Sequence, residues 1–521
     1  MYQSILLPYF NNVAQKFLKY TLFILLILSA LIWGSCREDF NFEPNTGNLT
    51  FSKDTVFLDT VFTNIGSSTY TLKVYNGLNR DISIPFVGLE GGLDSSYRLN
   101  VDGVAGKEFV DIPLLARDSL FVFVETTFDV APTGANEFLN TDRILFGEGT
   151  SQQHVELVTL VKDAVFLYPA TDANGTRETI PIGTDEQRNE IRLEGFYLEP
   201  EELNFTNEKP YVIYGYAAVG TGNTLSMDAG TRVHFHSDSG IVVESGASLQ
   251  VNGAQSEDPE LLENEIIFEG DRLEPDFANV PGQWGSIWIR SGSVGNTIQN
   301  LTLKNATAGL LVEGELTNPS PTLTLNNTQI TNSLEFNLWA SSSRITASNS
   351  LFGGAGGTSV RLTAGGNHQF VHCTLANYWG NGPRAGVALL LDNSSSDLEQ
   401  ANFSNCIVDG SSRLELSLIE DANFLFNFVF RNTAIQFNDT NNSFQSNPLY
   451  NFDDENLYQN SILNGEMDFE APFQNQFSIG PNSDAIDAGD ASFLILFPND
   501  ILGTLREGNP DLGAIEFTPE N

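Results

Sequence analysis

Basic residues are scarce in this 521-residue chain: lysine and arginine total 25 against 66 aspartates and glutamates, a net charge of −41. A field of that sign repels phosphate backbones and anionic lipid surfaces, which argues against nucleic acid as a partner. Past Lys209 the one lysine is Lys304, so bases of the kind that abstract a proton α to a carboxylate are few. Long apolar runs are also missing. Tyr20–Trp33 stops at 14 residues, short of the roughly 20 that span a bilayer as a helix. What is abundant is glycine (45), phenylalanine (38) and a hydrophobic share of 41%, the mix of a folded all-β chain with many turns. The length suits two or three domains, or a small domain followed by a solenoid. The acidity keeps a large exported protein soluble, and binding Ca²⁺ is a second use for it.

The short apolar run follows Lys16 and Lys19 and leads into Trp33-Gly34-Ser35-Cys36, the pattern of a signal-peptide core and its processing site. Small residues before a cysteine resemble the lipobox of bacterial lipoproteins, although Trp33 stands where that motif usually has leucine. The resemblance implies a signal peptide over 1–35, acylation of Cys36 and a tether over 36–47. Several acyl chains would hold the protein to the outer membrane, each buried CH₂ adding ~0.8 kcal/mol. Arg37-Glu38-Asp39 resembles the charged signal that carries lipoproteins of Bacteroidota to the cell surface.

Between residues 48 and 166, short alternating runs such as Tyr70-Thr71-Leu72-Lys73-Val74-Tyr75 and Ser119-Leu120-Phe121-Val122-Phe123-Val124 are separated by Asn76-Gly77 and Glu90-Gly91-Gly92. This spacing predicts an immunoglobulin-like β-sandwich. The stretch resembles the opening domain of large Bacteroidota surface lipoproteins and has no residues at catalytic spacing. A linker is expected over 167–205.

Six segments then align without gaps, beginning at Asn300, Asn327, Asn349, His372, Asn405 and Asn432, with spacings of 27, 22, 23, 33 and 27 residues. Periods of this size mark solenoids, and this one fits a coil of three short strands. The fourth place reads Leu303, Ile330, Phe352, Leu375, Val408, Ile435 and should point inward. The second place, Leu301, Thr328, Ser350, Cys373, Cys406, Thr433, shares that side. Asn305, Asn332 and Asn377 should sit at a corner, where asparagine tolerates left-handed backbone. The run Gly282–Ile289 and the C-terminal Asn482–Asp490, Gly503–Arg506 and Asp511–Glu516 resemble right-handed parallel β-helix repeat-containing surface proteins. The expected organisation is a β-helix over 206–480 and a capping element over 481–521, with Arg506 paired to Asp487, Asp511 or Glu516.

Cys373 and Cys406 fall at the same inward place of consecutive segments. Adjacent strands lie about 4.8 Å apart, which permits either a disulfide or stacked thiols. His234 and His236, with Asp238 beyond, lack a third metal ligand and read as surface histidines. The fifth, outward place (Lys304, Thr331, Gly353, Ala376, Asp409, Gln436) offers no pair of carboxylates for glycosidase chemistry. Trp288, Trp339, Tyr378 and Trp379 are the candidate platform for a sugar ring, whose apolar face suits an aromatic side chain. Packing under a loop is the other account of them. The expected function is therefore a non-catalytic surface role, glycan capture or adhesion, against the alternative of a polysaccharide-degrading lyase or glycosidase on the β-helix.

Overall fold

The computed structural model describes residues 42–129, 137–185, 187–258 and 261–519. Cys36 and the expected signal peptide lie outside them. Two sheets make an N-terminal sandwich. Tyr70–Asn76 and Ser119–Thr126 pair antiparallel in a five-stranded sheet, and Ile82–Leu89, Glu137–Phe146 and Gln153–Lys162 run through a six-stranded one. Alternation decides which side packs: Leu72 and Val74, with Leu120, Val122 and Val124, enter one core with Val56, Ile84, Val87, Ile144 and Leu157. Among the described residues, the compact N-terminal unit comprises 42–58, 67–127 and 140–158. Residues 59–66, 128–129, 137–139 and 159–166, expected in the sandwich, group with the second unit. Their backbones bond to one another, Thr63 N to Lys162 O at 3.0 Å and Asn64 N to Phe128 O at 2.7 Å.

The second unit is a parallel β-helix. Its network of 27 strands runs from Val165–Leu167 to Ile462–Leu463 and resolves into three faces. Face A stacks Val165–Leu167, Tyr211–Ile213, Arg232–Phe235 and Ile266–Gly270, then residues 301–304 and 328–331, then Leu351–Gly353, Thr374–Asn377 and Ile407–Gly410. Face B stacks Glu190–Tyr197, Tyr216–Val219, Gly240–Val243, Ile287–Ile289 and Ala308–Glu313, then residues 338–341 and 360–363, then Leu389–Asp392 and Leu416–Ile419. Face C ends in Leu398–Ser404, Phe426–Arg431 and Tyr458–Gln459. The stretch 167–205 is thus not a linker. It supplies the first coil and an antiparallel hairpin, Thr179–Thr184 with Glu190–Tyr197, because its alternating residues have a parallel neighbour to pair with.

The inward ladders follow the sequence repeat. Leu303, Ile330, Phe352, Leu375, Val408 and Ile435 pair rung by rung, and none is more than 1% exposed. On face C, Phe370, Phe403, Phe430 and Tyr458 stack with ring centroids 5.0, 4.9 and 5.6 Å apart, one use of the many phenylalanines. The second place of each repeat has a reason of its own. Thr328, Ser350, Cys373, Cys406 and Thr433 each donate a hydroxyl or thiol to the carbonyl two residues back, at 2.8–3.4 Å. That carbonyl faces the bend made by the first residue of the repeat. Asn300, Asn327, Asn349, His372, Asn405, Asn432 and Asn460 all have φ between +45° and +52°, a region asparagine enters at low cost. This seven-rung corner joins face C to face A. At the opposite end of face A, Asn305 and Asn332 are left-handed as expected, whereas Asn377 closes the strand Thr374–Asn377 and spends its amide on Ala355 N and Gly357 O.

The C-terminal stretch does not close the end of the solenoid. Residues 466–517 run along the outer side of face A, where Leu351 and Ala376 pack with Phe477, Ile501, Ala514 and Ile515. Ile407 and Ala434 pack with Met467, Ile479, Ala485 and Leu512. The corner asparagines hold it. Asn405 exchanges two bonds with the Asp490 backbone, Asn432 donates to Ala488 O, and Asn349 donates to Asn499 O. Arg506 locks this strap, its Nε 2.9 Å from Glu516 and its Nη1 donating to Asn349 Oδ1. The open end is closed by Phe444, Leu449, Tyr450, Phe452 and Leu457, which pack on the core. Tyr450 Oη accepts from Leu418 N on the last rung of face B. An exposed apolar end needs such cover, and these aromatics reach it first in chain order.

Candidate binding site

Face B carries the most ordered outward surface of the helix. Five of its rungs read Ile287-Trp-Ile289, Leu310-Leu-Val312, Leu338-Trp-Ala340, Val360-Arg-Leu362 and Leu389-Leu-Leu391. The flanking residues are buried and the central ones partly exposed. Register aligns the centres into one row: Val242, Trp288, Leu311, Trp339, Arg361, Leu390. At about 4.8 Å per rung, Trp288 and Trp339 stand roughly 10 Å apart. Arg361 lies 4.6 Å from the Trp339 ring centroid and Arg290 5.1 Å from that of Trp288, cation–π distances. Trp339 Nε1 donates to Thr363 Oγ1 at 2.8 Å. One end of the row is sheltered: Trp288 packs at the margin of a small cluster of Ile180, Ala218 and Val242 beneath the hairpin. Arg290 donates to Ile182 O at 2.9 Å. At the other end Phe336 meets Trp339 edge-on at 5.5 Å, and Trp339, Arg361 and Leu390 stay partly exposed.

Tyr378 and Trp379 do not join this row. They follow Thr374–Asn377 at the turn from face A to face B. Tyr378 is enclosed by Phe469, Phe473 and Phe477 and donates to Asp409 Oδ2 at 2.8 Å. Burial and the Asp409 carboxylate push its hydroxyl far above the usual range. Trp379 is 8% exposed. Of the four residues expected to form a platform, Trp288 and Trp339 share an outward row, while the strap's phenylalanines enclose Tyr378. Leu311, Arg361 and Leu390 complete the row. Their signal was present as the middle residue of each apolar triplet, a reading that needs the coil register first.

Cys373 and Cys406 are free thiols in this structure, buried on successive rungs. Burial pushes the Cys406 thiol up, and its neighbour Cys373 adds to the shift. Thiols so placed serve as hydroxyl substitutes at the corner rather than as nucleophiles. His234 is not a surface histidine. It is 6% exposed, with Nδ1 3.3 Å from Gly270 O and 3.7 Å from Glu269, and burial lowers its pKa. His236 pairs with Asp271 at 2.7 Å, which raises its pKa, and stacks on Tyr214. Among the described residues no group of three or more histidines, cysteines or acids could hold a metal ion.

A cleft of about 590 Å³ on the upper part of face A is lined by Lys209, Arg232, His234, Glu263 and Glu269. Its charges are engaged. Glu269 meets Lys304 at 2.8 Å, Lys209 meets Asp163 at 2.6 Å, and Arg232 donates to the carbonyls of Glu265 and Leu262 at 2.6 Å. Burial raises Glu265, whereas His234 and Lys304 offset burial at Glu269 and leave it lowered. Opposed shifts are the signature of an acid and its partner, but Glu265 just precedes the strand Ile266–Gly270 that carries Glu269, four residues away. That is roughly 13 Å along the chain, beyond the ~5–9.5 Å that glycoside hydrolysis requires. Glu415, pushed up to about 7 by burial, is held by Arg384 at 2.5 Å and by Ser412 N and Ala388 N. It anchors the loop over residues 378–388.

No family model matches the chain, and no curated protein matches it. Among solved structures it is similar to the major pilin subunit of Bacillus cereus at 12% identity and a TM-score of 0.15, covering 28% of this chain. The chain spans about half of that subunit, 52%. It is also similar to the catalytic domain of a GH87 alpha-1,3-glucanase in two complexes with tetrasaccharides. Identity is 9% in both, with TM-scores of 0.17 and 0.18. These matches cover 70% and 76% of this chain, and 61% and 85% of the glucanase chains. Scores of this size carry no inference about activity. Among the described residues no helix is long and apolar enough to cross a membrane.

Proposed function

We propose that this protein is a non-catalytic glycan-capture module, displayed at the cell surface on an acyl anchor at Cys36. The observation that carries the reading is the outward row Trp288–Leu311–Trp339–Arg361–Leu390 on face B. Indole and aliphatic side chains at a regular rise match the apolar faces of successive sugar rings, and Arg361 supplies donors to their hydroxyls. The flat, uninterrupted strand array favours an extended polymer over a small compact ligand. The rival reading, a polysaccharide-degrading enzyme, has the face A cleft as its best place. There Glu269 is tied to Lys304, and Glu265, just before the strand, lies too far along the chain to pair with it.

The test is a glycan array on the full chain, with every bound glycan checked for shortened or unsaturated products. Binding without turnover is expected, weakened at least tenfold by Trp339→Leu, which installs the residue found at 311 and 390 of the same row. Released products would overturn the non-catalytic reading. Binding indifferent to Trp339→Leu would remove face B as the site.

A further inference from the structure

Opposite face B, at the corner where face C turns into face A, a groove of about 370 Å³ lies between the asparagine ladder and the strap. Its floor is Gln299 and Asn300 from one coil and Asn326 and Asn327 from the next. Its far wall is Phe497 and Pro498. The strap is firmly seated here, since Asn349 donates to Asn499 O and accepts from Arg506 Nη1, each at 3.0 Å.

Three properties of this groove define what it takes. Carboxamides face it with capacity to spare. Asn326 accepts from Ser348 at 3.0 Å through Oδ1 and keeps two donors, while Asn327 Oδ1 is buried without a partner. Each carboxamide offers two donors and an acceptor, the complement of a polyol. Next, among the described residues no lysine or arginine lines the groove, so none of them neutralises a carboxylate or sulfate there. The one acid, Asp500, is spent: Leu502 N, Thr504 N and Glu516 N donate to it at 2.7–2.9 Å. Finally, Phe497 adds an apolar wall, and the adjoining Ile495 and Leu496 are 89% and 70% exposed. Amides beside an apolar wall suit a ring with hydroxyl edges and a C–H face.

We infer that this corner groove is a second binding site, for a neutral oligosaccharide, separate from the face B row. Charge sets the selectivity, because a chain at −41 repels anionic glycans and the groove holds no cation to offset that. The strap therefore contributes a ligand wall as well as cover.

The experiment is titration calorimetry of the full chain with neutral gluco-, manno-, xylo- and galacto-oligosaccharides of four to six units. Oligogalacturonate and a sulfated oligosaccharide serve as anionic probes. Two variants isolate the groove. Gln299→Ala acts on the outward side of a strand, and Asn327→Gly removes the amide while keeping the left-handed backbone, φ +49°. The expected result is binding of at least one neutral oligosaccharide, weakened tenfold or more in the double variant, unchanged in Trp339→Leu, and with an unaltered melting temperature. Binding lost in Trp339→Leu but intact in the groove variant overturns this inference and leaves the face B reading standing. Anionic probes binding tighter than neutral ones, or no neutral probe sensitive to the groove variant, also overturns it.

Discussion

Face A is built in two ways along its length. Down to the rung of residues 328–331 its outward side chains are mixed, with Arg232, His234, Glu269, Thr302, Lys304 and Gln329 beside the apolar Phe166, Val212 and Ile267. From Leu351 onward they are mostly apolar or small, Leu351, Gly353, Ala376, Ile407 and Ala434, with Thr374 and Asp409 among them bonded to Ala514 N and Tyr378 Oη, and residues 466–517 cover this side. The inward ladders hardly change across this divide. A solenoid's coil is thus specified by its inward residues, and its outward residues report what lies on it. Faces carrying polar or aromatic outward rows are open to ligands, and the lower part of face A is spoken for by the chain itself.

The largest expected effect comes from unlocking the strap. Arg506→Ala leaves Glu516, which burial raises to about 7, beside a buried gap. Breaking such a pair costs about 3–5 kcal/mol. Hydrogen exchange should accelerate over 484–517 and over Leu351–Gly353 while Arg232–Phe235 keeps its protection. Equal loosening of both halves would erase the distinction drawn above.

Acid should discriminate the halves next. Burial lowers His372 to about 3, helped by nearby Arg506, and lowers His368 to about 4. A depressed histidine binds its proton more readily in the unfolded chain, so stability present above about pH 6.5 is lost as pH falls toward these values. Glu415 and Glu516 act in the opposite sense between about pH 7 and their unfolded values, since their folded pKa values are raised. The variant His372→Asn, which installs the residue of its neighbouring rungs, isolates one contribution. Denaturant titrations should agree near pH 7.5 and diverge by about 3 kcal/mol at pH 4, with the variant more resistant.

Smaller effects test the corner. Substituting glycine should be nearly neutral at Asn327 and cost about 1 kcal/mol at Asn432, where the bond to Ala488 O on the strap is lost. Alanine should cost a further 1–2 kcal/mol or so at either site, because φ is positive at both. Smallest is the thiol pair. Cys373→Ser with Cys406→Thr restores the hydroxyls of neighbouring rungs and should shift stability by less than about 1.5 kcal/mol. The native thiols should resist alkylation until the helix unfolds.

The inward architecture was legible because it repeats. Leu303 through Ile435 could be aligned from spacing alone, and the small second place was visible before its hydrogen bonds were. The corner was partly misplaced. Asn305, Asn332 and Asn377 drew attention by type, while the first residue of each repeat, the true left-handed rung, was used only as an alignment mark. The strap escaped because its partners are distant in sequence: Asn349 meets Arg506 across 157 residues, and no local pattern encodes that. A hint existed at the third place, where Thr302 and Gln329 give way to Leu351, Thr374, Ile407 and Ala434. An outward place that turns apolar announces a cover. For Tyr378 that cue separates the two accounts, sugar platform or packing under a loop, in favour of packing. The hairpin within 167–205 was hidden because its strands separate the first coil's segments by more than the usual spacing.

The most direct measurement is hydrogen-exchange mass spectrometry of the full chain with and without a glycan identified on the array. The account predicts new protection over Ile287–Ile289, residues 338–341 and residues 360–363 on face B, with the strap segments seated on face A, Phe469–Ala471 and Gln476–Ile479, unchanged. Protection that appears instead on Leu351–Gly353 and Thr374–Asn377 as the strap loosens would contradict it, placing the ligand on the face that the chain covers itself.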